Sequence, residues 1–102
     1  MHLIQILLPL RDNDKQKFPA QYYEKVREDL TERFGGVTAF TRSHAIGLWK
    51  EADEDIHCDD VVIFEVITEK LEADWWTEYR ERLQDRFRQD ELLIWAANIT
   101  KL

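Results

Sequence analysis

Residues 60–68 read DVVIFEVIT, a β-branched and aromatic run interrupted only by Glu65. Such side chains fit a pleated, half-buried surface, so the run is a strand. Side chains alternate faces along a strand. Val62, Phe64 and Val66 therefore share one face, and Val61, Ile63, Glu65 and Ile67 share the other. Both faces are oily, and a single carboxylate breaks the second.

Upstream of this strand, residues 51–60 carry six acids and form a hairpin connection. Before them Leu48-Trp49-Lys50 reads as extended, and Ser43 to Gly47 as a bend or bulge, because glycine inside a strand pattern marks such breaks. Val37 to Arg42 alternates and forms the strand that opens this hairpin. Gly35-Gly36 stops a helix, one of the two taking the left-handed position after its last turn. That helix starts near Pro19, whose missing N–H costs little there. Tyr23, Val26, Leu30 and Phe34 recur along it at helical spacing. Asp29 and Arg33, four apart, read as a pair on its wet side. Asp12-Asn13-Asp14 is a turn-rich run. The first strand, His2 to Leu8, is broken by Pro9.

Downstream, a second helix runs from about Leu71 to Gln89. Trp76, Tyr79, Leu83 and Phe87 form its apolar stripe, with Glu78 and Arg82 paired outside. Glu91 to Thr100 (ELLIWAANIT) is the last strand. The order strand, helix, strand, strand, helix, strand is the split βαβ pattern. It predicts one α+β domain over residues 1–102, ferredoxin-like βαββαβ, with a four-stranded antiparallel sheet and two helices on one face.

Composition agrees. A chain of 102 residues with 44% hydrophobic and 12% aromatic residues builds an ordinary core, and one this short gains from burying more surface by self-association. The net charge of −7, from 21 acids against 14 Lys and Arg, repels phosphate backbones and anionic lipid heads, so neither nucleic acid nor a membrane surface is an expected partner. Cys58 is the only cysteine. No disulfide can form within the chain, which fits a cytoplasmic setting. Met1 to Leu10 is apolar but has no basic flank or small-residue cleavage site, and reads as a strand rather than a leader.

Sorted by parity, one face of the sheet collects Ile4, Ile6, Leu8; Val37, Ala39, Thr41; Val62, Phe64, Val66; and Leu93, Trp95, Ala97, Ile99. This face is expected to meet the helices. The other collects Leu3, Gln5, Leu7; Thr38, Phe40, Arg42; Val61, Ile63, Glu65, Ile67; and Leu92, Ile94, Ala96, Asn98. A sheet face left in water normally alternates to polar. Leu3, Leu7, Phe40, Ile63, Ile67 and Ile94 would expose several hundred Å² of apolar surface, the size at which a patch marks an interface or a ligand groove. The expected cover is the same face of a second copy, giving a homodimer.

The polar members of that open face are Gln5, Thr38, Arg42, Glu65 and Asn98, with His44 and Trp49 at its mouth. A mostly apolar cavity with a few convergent polar groups is the form of a small-molecule site. The candidate ligand-binding residues are therefore Thr38, Phe40, Arg42, His44, Trp49, Glu65 and Asn98, and the ligand expected is small and anionic or aromatic. The candidate catalytic residues are Glu65, as general acid or base among Val61, Ile63 and Ile67; Arg42, holding an anionic group; and His44, as proton shuttle. Arg42 and Glu65 lie on neighbouring strands and are expected to pair. A structural ion pair there is the plainer reading.

His57-Cys58-Asp59 offers three metal-ligand types, but adjacent residues of an extended segment cannot all turn to one ion, and no second ligand cluster has zinc spacing. The acids of residues 53–60 lack the calcium-loop spacing and its glycine. No metal is predicted. No phosphate-binding glycine loop, Ser/His/Asp set or dinucleotide fingerprint is present either, so no cofactor is predicted. Of the four tryptophans, Trp76 and Trp95 have core parity, Trp75 neighbours the helix stripe, and Trp49 is the candidate pocket residue.

At GGVTAFTR…GLW (Gly35 to Trp49) and DWWTEYRERLQDRFRQ (Asp74 to Gln89) the chain resembles a group of small bacterial proteins that are similar to the dimeric α+β barrel superfamily of ferredoxin-like proteins. The resemblance spans essentially the whole chain in pattern. It implies a dimer with a cavity between sheet and loops. Relatives in that superfamily include cofactor-independent monooxygenases, muconolactone-type isomerases, haem-degrading enzymes and stress-response proteins. No motif assigns this chain to one of these activities, so no catalytic residue is carried over. The expected function is a homodimeric small-molecule binder, as a cofactor-independent oxygenase or isomerase, with a non-catalytic structural or regulatory dimer as the alternative.

Overall fold

The computed structural model describes residues 1–42 and 61–102. Within them the elements are β1 (His2–Pro9), α1 (Ala20–Phe34), β2 (Thr38–Arg42), β3 (Val61–Thr68), α2 (Ala73–Arg86) and β4 (Leu93–Asn98). The bend at 43–47, the extended piece at 48–50 and the acidic connection lie outside the described residues.

Local chemistry sets the boundaries. β1 stops at Pro9, and the chain turns where Asp12 Oδ1 accepts from the N–H groups of Asp14 (2.8 Å) and Gln16 (2.9 Å). Pro19 precedes α1 at φ −60°, an angle its ring imposes. Gly35 ends α1 at φ +84°, donating its N–H to Thr31 O at 2.8 Å. Glycine takes that left-handed conformation without a Cβ clash. α2 is two residues shorter at its start and three at its end than the periodicity predicts, because the stripe residue Phe87 serves as its C-cap.

The sheet order is β2-β3-β1-β4 and all three pairings are antiparallel. With two helices this is the ferredoxin-like α+β arrangement. β1 lies at the centre, pairing Ile6 with Phe64 on one side and with Ile94 on the other. Ile4, Ile6, Leu8, Phe64 and Val66 form one buried cluster with Val26 and Leu30 of α1 and Trp76, Tyr79 and Leu83 of α2. Both helices therefore cover the same sheet face. Phe18, Phe87 and Leu92 close the cluster at its end.

The two helices are also joined by a polar clamp. Asp29 accepts from Tyr79 Oη (3.0 Å) and Arg86 Nη2 (3.2 Å) across the helix interface, and from Lys25 Nζ (3.2 Å) along its own helix. Burial opposes ionisation of Asp29, yet these hydrogen bonds outweigh it and hold the carboxyl below its ordinary value. Burial raises the Tyr79 hydroxyl, and the Asp29 charge raises it further. Tyr23 donates to Pro9 O at 2.6 Å, and burial pushes its hydroxyl up to about 12. The expected pair of Asp29 with Arg33 on the wet side is thus corrected. Asp29 faces α2, and Arg33 instead pairs with Glu72 at 2.9 Å. Arg82 lies over the Tyr79 ring.

The phase of β4 is a second correction. Gln5 stands opposite Trp95, and Ile4 opposite Ala96. Leu92 and Ile94 therefore point to the helices, and Leu93, Trp95 and Ala97 to the open face. A one-residue shift of phase moves every side chain of a strand to the other face. LLIWAA is apolar in both phases, so parity could not decide between them. Pairing with β1 does.

Candidate functional site

The open face takes its geometry from four strands in register. Trp95 of β4, Gln5 of β1, Glu65 of β3 and Thr38 of β2 stand directly opposite one another, making one row across the whole sheet. Three of them are bonded in sequence. Trp95 Nε1 donates to Gln5 Oε1 at 2.6 Å, and Gln5 Nε2 donates to Glu65 Oε2 at 2.6 Å. Gln5 and Glu65 are half-buried and Thr38 is exposed.

Apolar residues flank the row on both sides. Leu3 and Ile67 are opposite each other beyond one side, and Leu93, Leu7, Ile63 and Phe40 form the row two residues away on the other. Phe40 is 39% exposed, Ile67 58%, Leu93 50% and Trp95 48%. Ile63, expected to contribute exposed surface, is buried at 1%. Ile94, also expected there, lies on the helix side. An open cleft of about 440 Å³ at one end of the sheet is lined by Leu3, Gly36, Thr38, Glu65 and Ile67, among others. It falls in the usual size range of small-molecule sites.

Of the residues singled out from sequence, Thr38, Phe40 and Glu65 share this face. Asn98 does not. It is opposite His2, in the phase of Ile4 and Ile6, and so lies on the helix side for the same reason that Ile94 does. Arg42 keeps the phase of Thr38 and Phe40 and is opposite Val61, four positions along from the Thr38–Glu65 pair, or about 13 Å of strand. The cross-strand neighbour of Glu65 is Thr38, and Gln5 donates to its carboxylate; the expected pair with Arg42 rests on a side chain outside the described residues. His44, Trp49 and the His57-Cys58-Asp59 run lie outside the described residues.

Parity along the sequence puts Gln5 on this face, outside the expected site, and puts Trp95 on the helix side; the structure brings both into the row. The signal for Gln5 was present, as the lone polar side chain between Ile4 and Ile6 in a buried strand. For Trp95 there was none, since only the β1–β4 register fixes its side.

Among the described residues no group of three His, Cys, Asp or Glu side chains is placed to hold a metal ion, and no helix is long and apolar enough to cross a membrane. The arrangement offers a fixed carboxylate, a tethered indole and exposed apolar walls. It can hold a flat ring and accept hydrogen bonds from a polar substituent.

No protein-family model matches the chain, and no curated protein does. Among solved structures, a phage SAM lyase in complex with S-methyl-5'-thioadenosine is similar, with a TM-score of 0.63 and 14% identity over 95% of this chain and 80% of that one. At that identity the likeness is one of fold.

Proposed function

We propose that this chain is a homodimeric small-molecule-binding protein whose site is the open sheet face around Trp95, Gln5, Glu65 and Thr38. The observation that carries the reading is the bonded row Trp95–Gln5–Glu65 on a face that is otherwise apolar. The ligand class follows from what the row can recognise. Trp95 and Phe40 present aromatic surface to a ring. Glu65 accepts from hydroxyls, and a carboxylate is a common partner for a ribose 2'-hydroxyl. A nucleoside thioether has both groups, and the fold neighbour was solved with one bound. Glu65 is the general acid or base of a cofactor-independent reaction, an isomerisation, oxygenation or elimination. Self-association through Phe40, Ile67, Leu93 and Trp95 closes the face.

One observation favours the non-catalytic alternative. The row satisfies its own hydrogen bonds, as a purely structural clamp across the sheet would.

Calorimetric titration with S-methyl-5'-thioadenosine separates the two. The binding reading expects saturable heat with the wild-type chain and about tenfold weaker binding for Trp95→Leu and for Glu65→Gln, since a stacked ring or a hydrogen bond to a charged group is worth about 1–3 kcal/mol. No heat with the wild-type chain, or equal binding by both variants, would favour the clamp.

A further inference from the structure

A second groove lies on the opposite, helix-covered side of the sheet, between α2 and the edge strand β4. Its volume is about 210 Å³. Ala73, Trp76, Thr77 and Arg80 line it from α2 at spacings of three, four and seven, the signature of one helix face. Ile94, Trp95 and Ala96 line it from β4, and Leu71 stands at its end.

Two features mark it out. Four buried side-chain nitrogen or oxygen atoms among the described residues have no hydrogen-bond partner, and two of them, Trp76 Nε1 and Arg80 Nε, belong to residues that line this groove. Trp76 is only 6% exposed. A buried donor left unpaired costs about 1–3 kcal/mol, and native proteins pair nearly all of them. Arg80 is also half-buried and makes no ion pair among the described residues. Asp90 and Glu91 line the next cleft along with Arg80, but neither bonds it. In a chain of net charge −7 a guanidinium without a carboxylate partner is conspicuous.

We propose that this groove is a binding site for a small carboxylate carrying an apolar or aromatic body. The carboxylate oxygens take the orphaned N–H groups of Arg80 and Trp76. Guanidinium recognises carboxylate with short, charge-assisted hydrogen bonds. The body packs along Ile94 and Ala96. The volume is below the 300–1,000 Å³ or so of sites for drug-sized ligands, so the occupant has roughly the size of a substituted benzene ring. Both nitrogens are buried in this conformer, so the half-buried Arg80 side chain must turn aside when the carboxylate enters. The site is independent of the open-face reading except that Trp95 borders both.

The test is titration of the full chain with phenylacetate, followed by the indole and arginine Nε–H resonances in ¹H–¹⁵N spectra. Trp76→Phe assigns the Trp76 signal. Saturable movement of the Trp76 Nε1–H and Arg80 Nε–H signals is expected. Arg80→Met, at a partly exposed position, should keep the fold and weaken binding about tenfold or more. Glu65→Gln should leave phenylacetate binding unchanged, which separates this site from the one on the open face. Stationary Trp76 and Arg80 signals at saturating phenylacetate, or equal affinity in Arg80→Met, would overturn the proposal and leave the two donors to ordered water.

Discussion

Gln5 is the residue through which the polar row is joined. Its amide oxygen accepts from Trp95 and its amide nitrogen donates to Glu65. Gln5→Leu would keep the volume and remove both bonds, leaving a half-buried carboxylate and an indole N–H without partners. Each orphaned group costs about 1–3 kcal/mol when water cannot reach it. Partial exposure lowers that, so urea unfolding should show a loss of about 1–2 kcal/mol. An unchanged midpoint would mean that water replaces the amide and that the row does not hold the face. Asp29 makes the second prediction at this scale. Its folded pKa is depressed, so its contribution is full above the ordinary carboxylate value near 3.9 and is lost as pH falls through the lower folded value. Asp29→Asn should therefore cost about 1–2 kcal/mol at neutral pH, the lower part of the roughly 1.5–3 kcal/mol of hydrogen bonds to a charged group, because the carboxylate is partly exposed. The gap between variant and wild type should narrow below pH 4 or so. A gap that stays constant down to pH 3 would show that shape and not charge is what Asp29 supplies.

At the scale of elements, legibility followed the distinctness of the pattern. α1 and α2 were readable because Val26 and Leu30, and Trp76, Tyr79 and Leu83, repeat on one side among charged neighbours. β3 was readable because Glu65 marks a phase that Val62, Phe64 and Val66 do not share. β4 carries no such mark. Its six residues are apolar up to Asn98, and its facing was set by Gln5 and Ile6 of β1, some ninety residues earlier in the chain. The same kind of long-range information separates Arg42 from Glu65. Adjacent strands could be inferred from the hairpin order, whereas the bend at 43–47, the extended piece at 48–50 and the acidic connection read between β2 and β3 do not fix the register that pairs Thr38 with Glu65. Adjacent substitutions test the phase of β4. Leu92→Ala removes a side chain that is 6% exposed within the core cluster, and should cost about 2–4 kcal/mol. Leu93→Ser, one position on, removes one that is half exposed and should change protomer stability by less than about 1 kcal/mol. Equal losses in thermal or urea melts would contradict the assigned phase.

For the whole molecule, the central claim is that the sheet face turned away from the helices does not stay wet. Among the described residues, the large hydrophobic side chains most exposed are Met1, Phe40, Ile67, Leu71, Leu93, Trp95 and Leu102, and four of these seven share that face. A second copy turned by a twofold axis would present the same four, a self-complementary surface with the polar row at its middle. The ligand reading depends on this closure, because a shared apolar chamber would exclude water around Glu65, which is half-buried in the single chain. Sedimentation equilibrium of the wild-type chain at micromolar concentration tests the claim most directly, with Leu93→Lys beside it. The account predicts two chains per particle for the wild type, and one chain with unchanged helical circular dichroism for the variant. A wild-type chain that sediments as a single protomer at that concentration would contradict it.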